Sequence, residues 1–284
     1  MLVGRESQLL QSQSALQHAR SEQESCEVFI QGLSGEGKTS LVEYFLERCR
    51  DQDRELTILS RRCYDRESVP FKAIDNLIDS LTFYLKNLSN ADAAILMPDD
   101  IGFLSHLFPV LQRVEVVERL TPKKIAQLDA QLVRTRAFKA LRSLLHRVTR
   151  KSPVILVCDD LQWGDVDSAE ALFEVLRTPD SPAVLFICTY RRDEADSSPF
   201  LVRWKSLNRA NPDQISTREV AVGPLDVAQC TQLLVSLLGQ DNEAIRRRAL
   251  AFAQTSGGNP FLLAELIGCY DQMRIRFRRY RSMK

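Results

Sequence analysis

Eight residues, Gly32-Leu-Ser-Gly35-Glu36-Gly37-Lys38-Thr39, fit the pattern G-x-x-x-x-G-K-[ST]. The run follows a short apolar stretch, Glu27 to Gly32, and leads into Leu41, Val42, Phe45, Leu46 and Cys49 at helical spacing. That strand-to-helix context is what a phosphate-binding loop requires. Glycines let the backbone wrap closely and turn its N–H groups inward, making an anion nest at a helix N-terminus. A lysine at position 38 reaches β- and γ-phosphates, and a Thr39 hydroxyl coordinates Mg²⁺. A second candidate is Asp159-Asp160, which ends the apolar run Val154-Ile-Leu-Val-Cys. Carboxylates at the C-terminal end of a buried parallel strand lie where open α/β sheets bind ligands. Asp159 suits the Mg²⁺ side of such a site. Asp160 suits the orientation and deprotonation of an attacking water, with a helix N-cap as its alternative role. The third candidate is Thr189-Tyr190-Arg191-Arg192, at the end of another apolar run. Arg191 there can reach a γ-phosphate, although on spacing alone a surface basic pair accounts for it equally well.

These groups need elements to hold them. Runs at 27–32, 56–60, 154–159, 184–189 and 219–223 read as strands. Two of them are apolar on both faces, the mark of a buried parallel sheet. Helical periods lie between: Phe71, Ile74, Leu77, Ile78 and Leu81, and a long helix through Ile125, Leu128, Leu132, Phe138, Leu141, Leu145 and Val148. The alternation predicts an α/β three-layer fold with a central parallel sheet and helices on both faces. After Pro224 the strand signals stop. Asp226 reads as the cap of a helix through Leu238, Glu243 to Gln254 as a second helix, and Pro260 as the first residue of a third. The expected division is a core over residues 1–225, a partial helical lid over 226–271 and a basic tail over 272–284.

Composition excludes several classes. Of 284 residues, 44% are hydrophobic and 26% charged, the balance of a globular chain. Thirty-eight basic against thirty-seven acidic residues leave a net charge of +1, with no global field for nucleic acid. Seven dispersed cysteines without a CxxC pair, and three distant histidines, argue against a disulfide framework and a zinc site. No signal pattern and no run of ~20 apolar residues is present, so the expected location is cytoplasmic, with no membrane partner.

Taken in order, Val3-Gly4-Arg5-Glu6, the glycine-rich loop, Asp159-Asp160-Leu-Gln-Trp163-Gly-Asp165, Thr189-Tyr190-Arg191 and Gly258-Asn259-Pro260-Phe261 resemble one family. This is the AAA-type, origin-recognition-like ATPase module of the signal-transduction ATPases with numerous domains. The stretch Cys63 to Phe71 is most similar to members fused to bacterial Ser/Thr protein kinases; others carry LuxR-type DNA-binding domains. The resemblance spans about residues 1 to 266. It implies ATP and Mg²⁺ as ligands. Val3, Gly4 and Arg5 would cover the adenine. Gly32, Gly35, Glu36, Gly37, Lys38, Thr39 and Ser40 would hold phosphates, with Thr39 and Asp159 on the metal. Asp160 would act on the water, Arg191 would sense the γ-phosphate, and Pro260 would touch the nucleotide from the lid. The stretch Leu161-Gln162-Trp163 would pack the strand-end loop.

The function expected is an ATP-binding and ATP-hydrolysing regulatory switch. The alternatives are a nucleotide-binding scaffold without significant turnover and a P-loop small-molecule phosphotransferase. Family members usually continue well beyond Asn259-Pro260, so a C-terminally truncated chain is expected. Its lid helices, with Leu233, Leu234, Leu237, Leu238, Phe252, Leu262, Leu263 and Leu266 short of partners, would be open and prone to self-association or to binding a regulatory protein. A disordered tail is expected from Arg274. Its six basic residues are the only feature that favours nucleic acid.

Overall fold

A computed structural model describes residues 2–63, 70–122, 128–239 and 243–268. Among these, five strands form one parallel sheet: β1 (Cys26–Gly32), β2 (Thr57–Arg62), β3 (Val154–Asp159), β4 (Val184–Arg191) and β5 (Ser216–Ala221), in the order β2-β3-β4-β1-β5. Consecutive side chains on a strand point to opposite faces. Val28 and Ile30 of β1, Ile155 and Val157 of β3, and Leu185 and Ile187 of β4 therefore enter one core. Phe29, Leu156, Cys158, Phe186 and Cys188 enter the other. Both faces are covered, which is why these strands read as unbroken apolar runs.

The first face is packed by α1 (Glu6–Glu22) and α2 (Lys38–Gln52). The second is packed by α3 (Lys72–Lys86), α7 (Ala130–Thr149), α8 (Val166–Leu176) and α9 (Pro199–Ala210). Three short helices, α4 (Asn90–Leu96), α5 (Ile101–Leu107) and α6 (Glu115–Leu120), lie between α3 and α7 in sequence. Arg136 of α7 ties this insertion down, pairing with Asp100 and lying 4.0 Å from the Phe103 ring centroid. None of these short helices has a motif that marks it in the sequence.

Several boundaries differ from the sequence reading by a residue or two, and two differ by more. The long helix starts at Ala130, because the Asp129 carboxylate accepts from Leu132 N–H at 3.0 Å and caps it. Leu128 is outside the helix and exposed, and Ile125 lies outside the described residues. The fifth strand begins earlier, at Ser216, where it pairs with Cys26 of β1. Segment 64–69 of the Cys63–Phe71 stretch and the tail 272–284 also lie outside the described residues.

Beyond Leu225 come α10 (Val227–Leu238), α11 (Glu243–Ser256) and α12 (260–268). Asp226 caps α10 in a reciprocal box with Gln229. Of the residues expected to be short of partners, Leu234 and Leu263 are buried and Leu233, Leu238 and Phe252 pack against them, which corrects that expectation, whereas Leu237 and Leu262 are exposed. Cys230 and Leu234, Ile245, Ala249 and Ala253, and Leu263 and Ile267 meet in a small core of their own. Each set recurs every four residues, so each helix supplies a stripe to the others.

One buried charge gives the fold a pH signature. Glu27 of β1 is fully buried, with the Thr217 hydroxyl donating to Oε2 at 3.1 Å. Burial pushes its carboxyl up to about 8 from 4.5, partly offset by the Thr217 hydrogen bond. The folded state therefore retains a proton that the unfolded chain releases. This group's contribution to stability is full below about pH 4.5 and is lost as pH rises toward 8, by about 1.4 kcal/mol per unit. Chemical denaturation of Glu27→Gln across that window should lack this component. A variant whose profile parallels wild type would remove Glu27 as its source.

Candidate functional site

The loop after β1 turns on two left-handed glycines, Gly35 at φ +78° and Gly37 at φ +90°, which a side chain would strain. Glu36, between them, is buried, and its carboxylate accepts from Leu33 N–H, closing the turn. Lys38 opens α2, and its ammonium donates to Gly32 O at 3.0 Å and Leu33 O at 2.8 Å. Burial lowers the Lys38 pKa, while the nearby carboxylates of Asp160, Glu36 and Asp159 work the other way. Thr39 Oγ1 donates to the Asp159 carboxylate, 3.1 Å from each oxygen.

Asp159 and Asp160 end β3 between two neighbours. On the β4 side, the Thr189 hydroxyl donates to Asp159 Oδ1 and accepts from Asp160 N–H at 3.0 Å. On the β2 side, Arg62 pairs with Asp160 and lies 3.9 Å from Asp159. Asp160 itself has φ +56° and accepts from Gln162 Nε2 at 3.1 Å. Gln162 is buried, and its Oε1 also accepts from Arg191 N–H at 3.2 Å. The amide thus bridges the ends of β3 and β4. Arg191 is about a third exposed and pairs with Glu194 at 2.6 Å and Asp193 at 3.3 Å. Trp163 packs against the larger core.

The N-terminal segment closes the opposite side. Val3 is buried, and Arg5 donates to Gly223 O at 2.5 Å and Glu36 O at 3.2 Å. Gly4, at φ +65°, has a left-handed backbone that a side chain would strain, and it lies against the Gln229 side chain, whose amide carbon would be 2.4 Å from a Cβ there. Arg5 therefore staples the loop to the end of β5, and the close approach at Gly4 brings α10 alongside.

These elements enclose a cavity of ≈ 460 Å³. Of the residues singled out in the sequence, Val3, Arg5, Gly35, Glu36, Gly37, Lys38, Thr39, Ser40, Asp160, Arg191 and Pro260 line it. Gly4, Gly32 and Asp159 do not, although Asp159 reaches it through Thr39. Its lining combines charged groups, among them Lys38, Arg62, Asp160 and Arg191, with apolar ones, Leu2, Val3, Leu225, Leu233, Leu237, Pro260 and Phe261. Such a cavity suits a ligand with a polyanionic head and a flat apolar body. Among the described residues no cluster of three or more His, Cys, Asp or Glu could hold a metal ion by itself.

Sequence reasoning missed Arg62 and gave Gln162 only a packing role. Arg62 belongs to no motif, and Gln162 lies in the Asp159–Asp165 run without a signal for its amide contacts. Arg62 is found through register, since it pairs with Asp159 across β2 and β3.

Comparison with known proteins gives the following. An uncharacterized protein of Rhizobium meliloti (strain 1021) is 24% identical over 245 residues, covering 84% of this chain and 22% of the relative. The chain thus spans about a fifth of the length of the curated relative it matches. Among solved structures, the Aeropyrum pernix ORC1 protein, determined in complex with DNA, superposes with a TM-score of 0.57 at 15% identity, over 97% of this chain and 62% of that one. This is a likeness of fold. A Pyrococcus horikoshii signal-transduction ATPase with numerous domains and a tetratricopeptide repeat sensor superposes with a TM-score of 0.47 at 14% identity, over 92% and 29%. The family model described as an AAA ATPase domain matches residues 1–187. No helix among the described residues is long and apolar enough to cross a membrane.

Proposed function

The chain belongs to the AAA ATPase domain family, and from that premise we propose that its cavity binds Mg·ATP and hydrolyses it, as the switch of a regulatory module. The observation that carries this reading is that Lys38, Thr39, Asp160 and Arg191 line one cavity together with a group of apolar residues. The loop N–H groups and Lys38 would take the phosphates, and the apolar residues would take the base. Mg²⁺ fits the donors present: Thr39 Oγ1 and the Asp159 carboxylate already lie within 3.1 Å of each other. A site with one hydroxyl and one carboxylate is what Mg²⁺ uses when substrate phosphates complete its shell. When bound, the ion supplies neutralisation of phosphate charge. Asp160 would orient the hydrolytic water and accept its proton. Arg5 would position Glu36 and the loop without touching the phosphates. The division into a core to residue 225 and a lid from 226 gives the switch its moving part.

A scaffold that binds nucleotide without turnover is the second reading. It is favoured by Asp160, whose carboxylate is engaged by both Arg62 and Gln162.

Arg191 separates ATP from ADP in this scheme. Its guanidinium would leave Asp193 and Glu194 for the γ-phosphate, so Arg191→Ala should reduce ATP affinity more than ADP affinity. Competition titrations with both nucleotides test it. Equal losses, or none, would confine Arg191 to its ion pairs at the end of β4.

A further inference from the structure

The outer side of the glycine-rich loop is bonded to the helical segment, chiefly through one amide. Asn259 Nδ2 donates to Ser34 O at 2.8 Å. Its Oδ1 accepts from the N–H groups of Phe261 at 3.0 Å and Leu262 at 3.2 Å, capping α12. The Phe261 N–H also reaches Gly35 O at 3.2 Å. The approach is close: a Cβ built at Gly35 would lie 2.7 Å from Asn259 Oδ1 and 3.0 Å from Phe261 Cβ.

A peptide unit is planar and trans, so its C=O and N–H point in opposite directions. With the Ser34 carbonyl held on Asn259, the Gly35 N–H is turned away from the lid. The Gly35 carbonyl is held on the Phe261 N–H, and the Glu36 N–H donates to Leu33 O at 3.4 Å, closing the turn. Consecutive N–H groups facing inward are what an anion nest needs. We propose that Asn259 is a positioning residue for the phosphate loop: by bonding the Ser34 carbonyl, and by capping α12 so that the Phe261 N–H meets the Gly35 carbonyl, it holds the loop with the Gly35 N–H turned toward the phosphates. This rests on the reading of the cavity as an ATP site. It gives the lid a task at the phosphate end, separate from covering the base.

The test uses the full chain with Asn259→Asp and Asn259→Ser. Both residues retain a cap acceptor for α12. Asp sets a carboxylate oxygen against Ser34 O; Ser is too short to reach it and adds no charge. Affinities are measured for ATP, for tripolyphosphate, which has no base, and for adenosine, which has no phosphate; thermal unfolding reports on folding. Both variants should lose about three- to tenfold for ATP and tripolyphosphate, the value of one hydrogen bond, with adenosine binding and melting temperature unchanged. Equal losses for adenosine and tripolyphosphate would overturn the proposal, since the lid would then act only as a cover. Loss with Asp but not with Ser would also overturn it, as an effect of charge alone. Wild-type chain that binds none of the three ligands would overturn the ATP reading and this proposal with it. Wild-type binding of ATP and tripolyphosphate with no change in either variant would overturn this proposal alone.

Discussion

Replacing Lys38 by alanine is expected to weaken Mg·ATP binding by about one to two orders of magnitude. The ammonium is already at the mouth of the loop, bonded to the Gly32 and Leu33 carbonyls. Burial disfavours its charge, and the carboxylates of Asp160, Glu36 and Asp159 support it. A triphosphate would replace two neutral acceptors with anionic ones at a position where water is partly excluded. A charge-assisted hydrogen bond contributes about 1.5–3 kcal/mol, or roughly one to two decades in Kd. Titration calorimetry of the variant beside wild type measures this. Unchanged affinity would remove the phosphate-loop assignment.

Replacing Asp160 by asparagine should spare binding and slow hydrolysis by roughly 10²- to 10⁴-fold, the contribution of a positioned base. The amide keeps the shape of the carboxylate and can still bond Gln162 or Arg62. It cannot take a proton. Single-turnover measurement of ADP formation isolates the chemical step from product release. If the rate were unaffected, Asp160 would serve as the partner of Arg62 and Gln162 only, and the scaffold reading would gain.

The parts of the molecule governed by short-range physics were legible in the sequence. Gly35, Gly37, Lys38 and Thr39 lie within one turn, where backbone geometry and hydroxyl and ammonium chemistry have few alternatives. The strands Val154–Asp159 and Val184–Arg191 showed as double-faced apolar runs because both faces of the sheet are covered. What the sequence hid depends on distance along the chain. Arg62 and Asp160 are 98 residues apart, and only the order β2-β3 brings them together. Helices α4, α5 and α6 are each seven residues or shorter, too brief for a period to declare itself. The three helices after Leu225 were legible from Asp226, Glu243 and Pro260, but the core between them was not. Its stripes are made of residues such as Ala249, Ala253 and Cys230, which are small enough to look neutral until three helices meet.

The claim that this chain is an ATPase module is tested most directly by ³¹P NMR of Mg·ATP incubated with the wild-type chain. Conversion to ADP and inorganic phosphate is expected, dependent on Mg²⁺ and abolished within the assay's range in Asp160→Asn. ATP that stays intact over hours, although shown by line broadening to be bound, would contradict it and leave a nucleotide-binding scaffold.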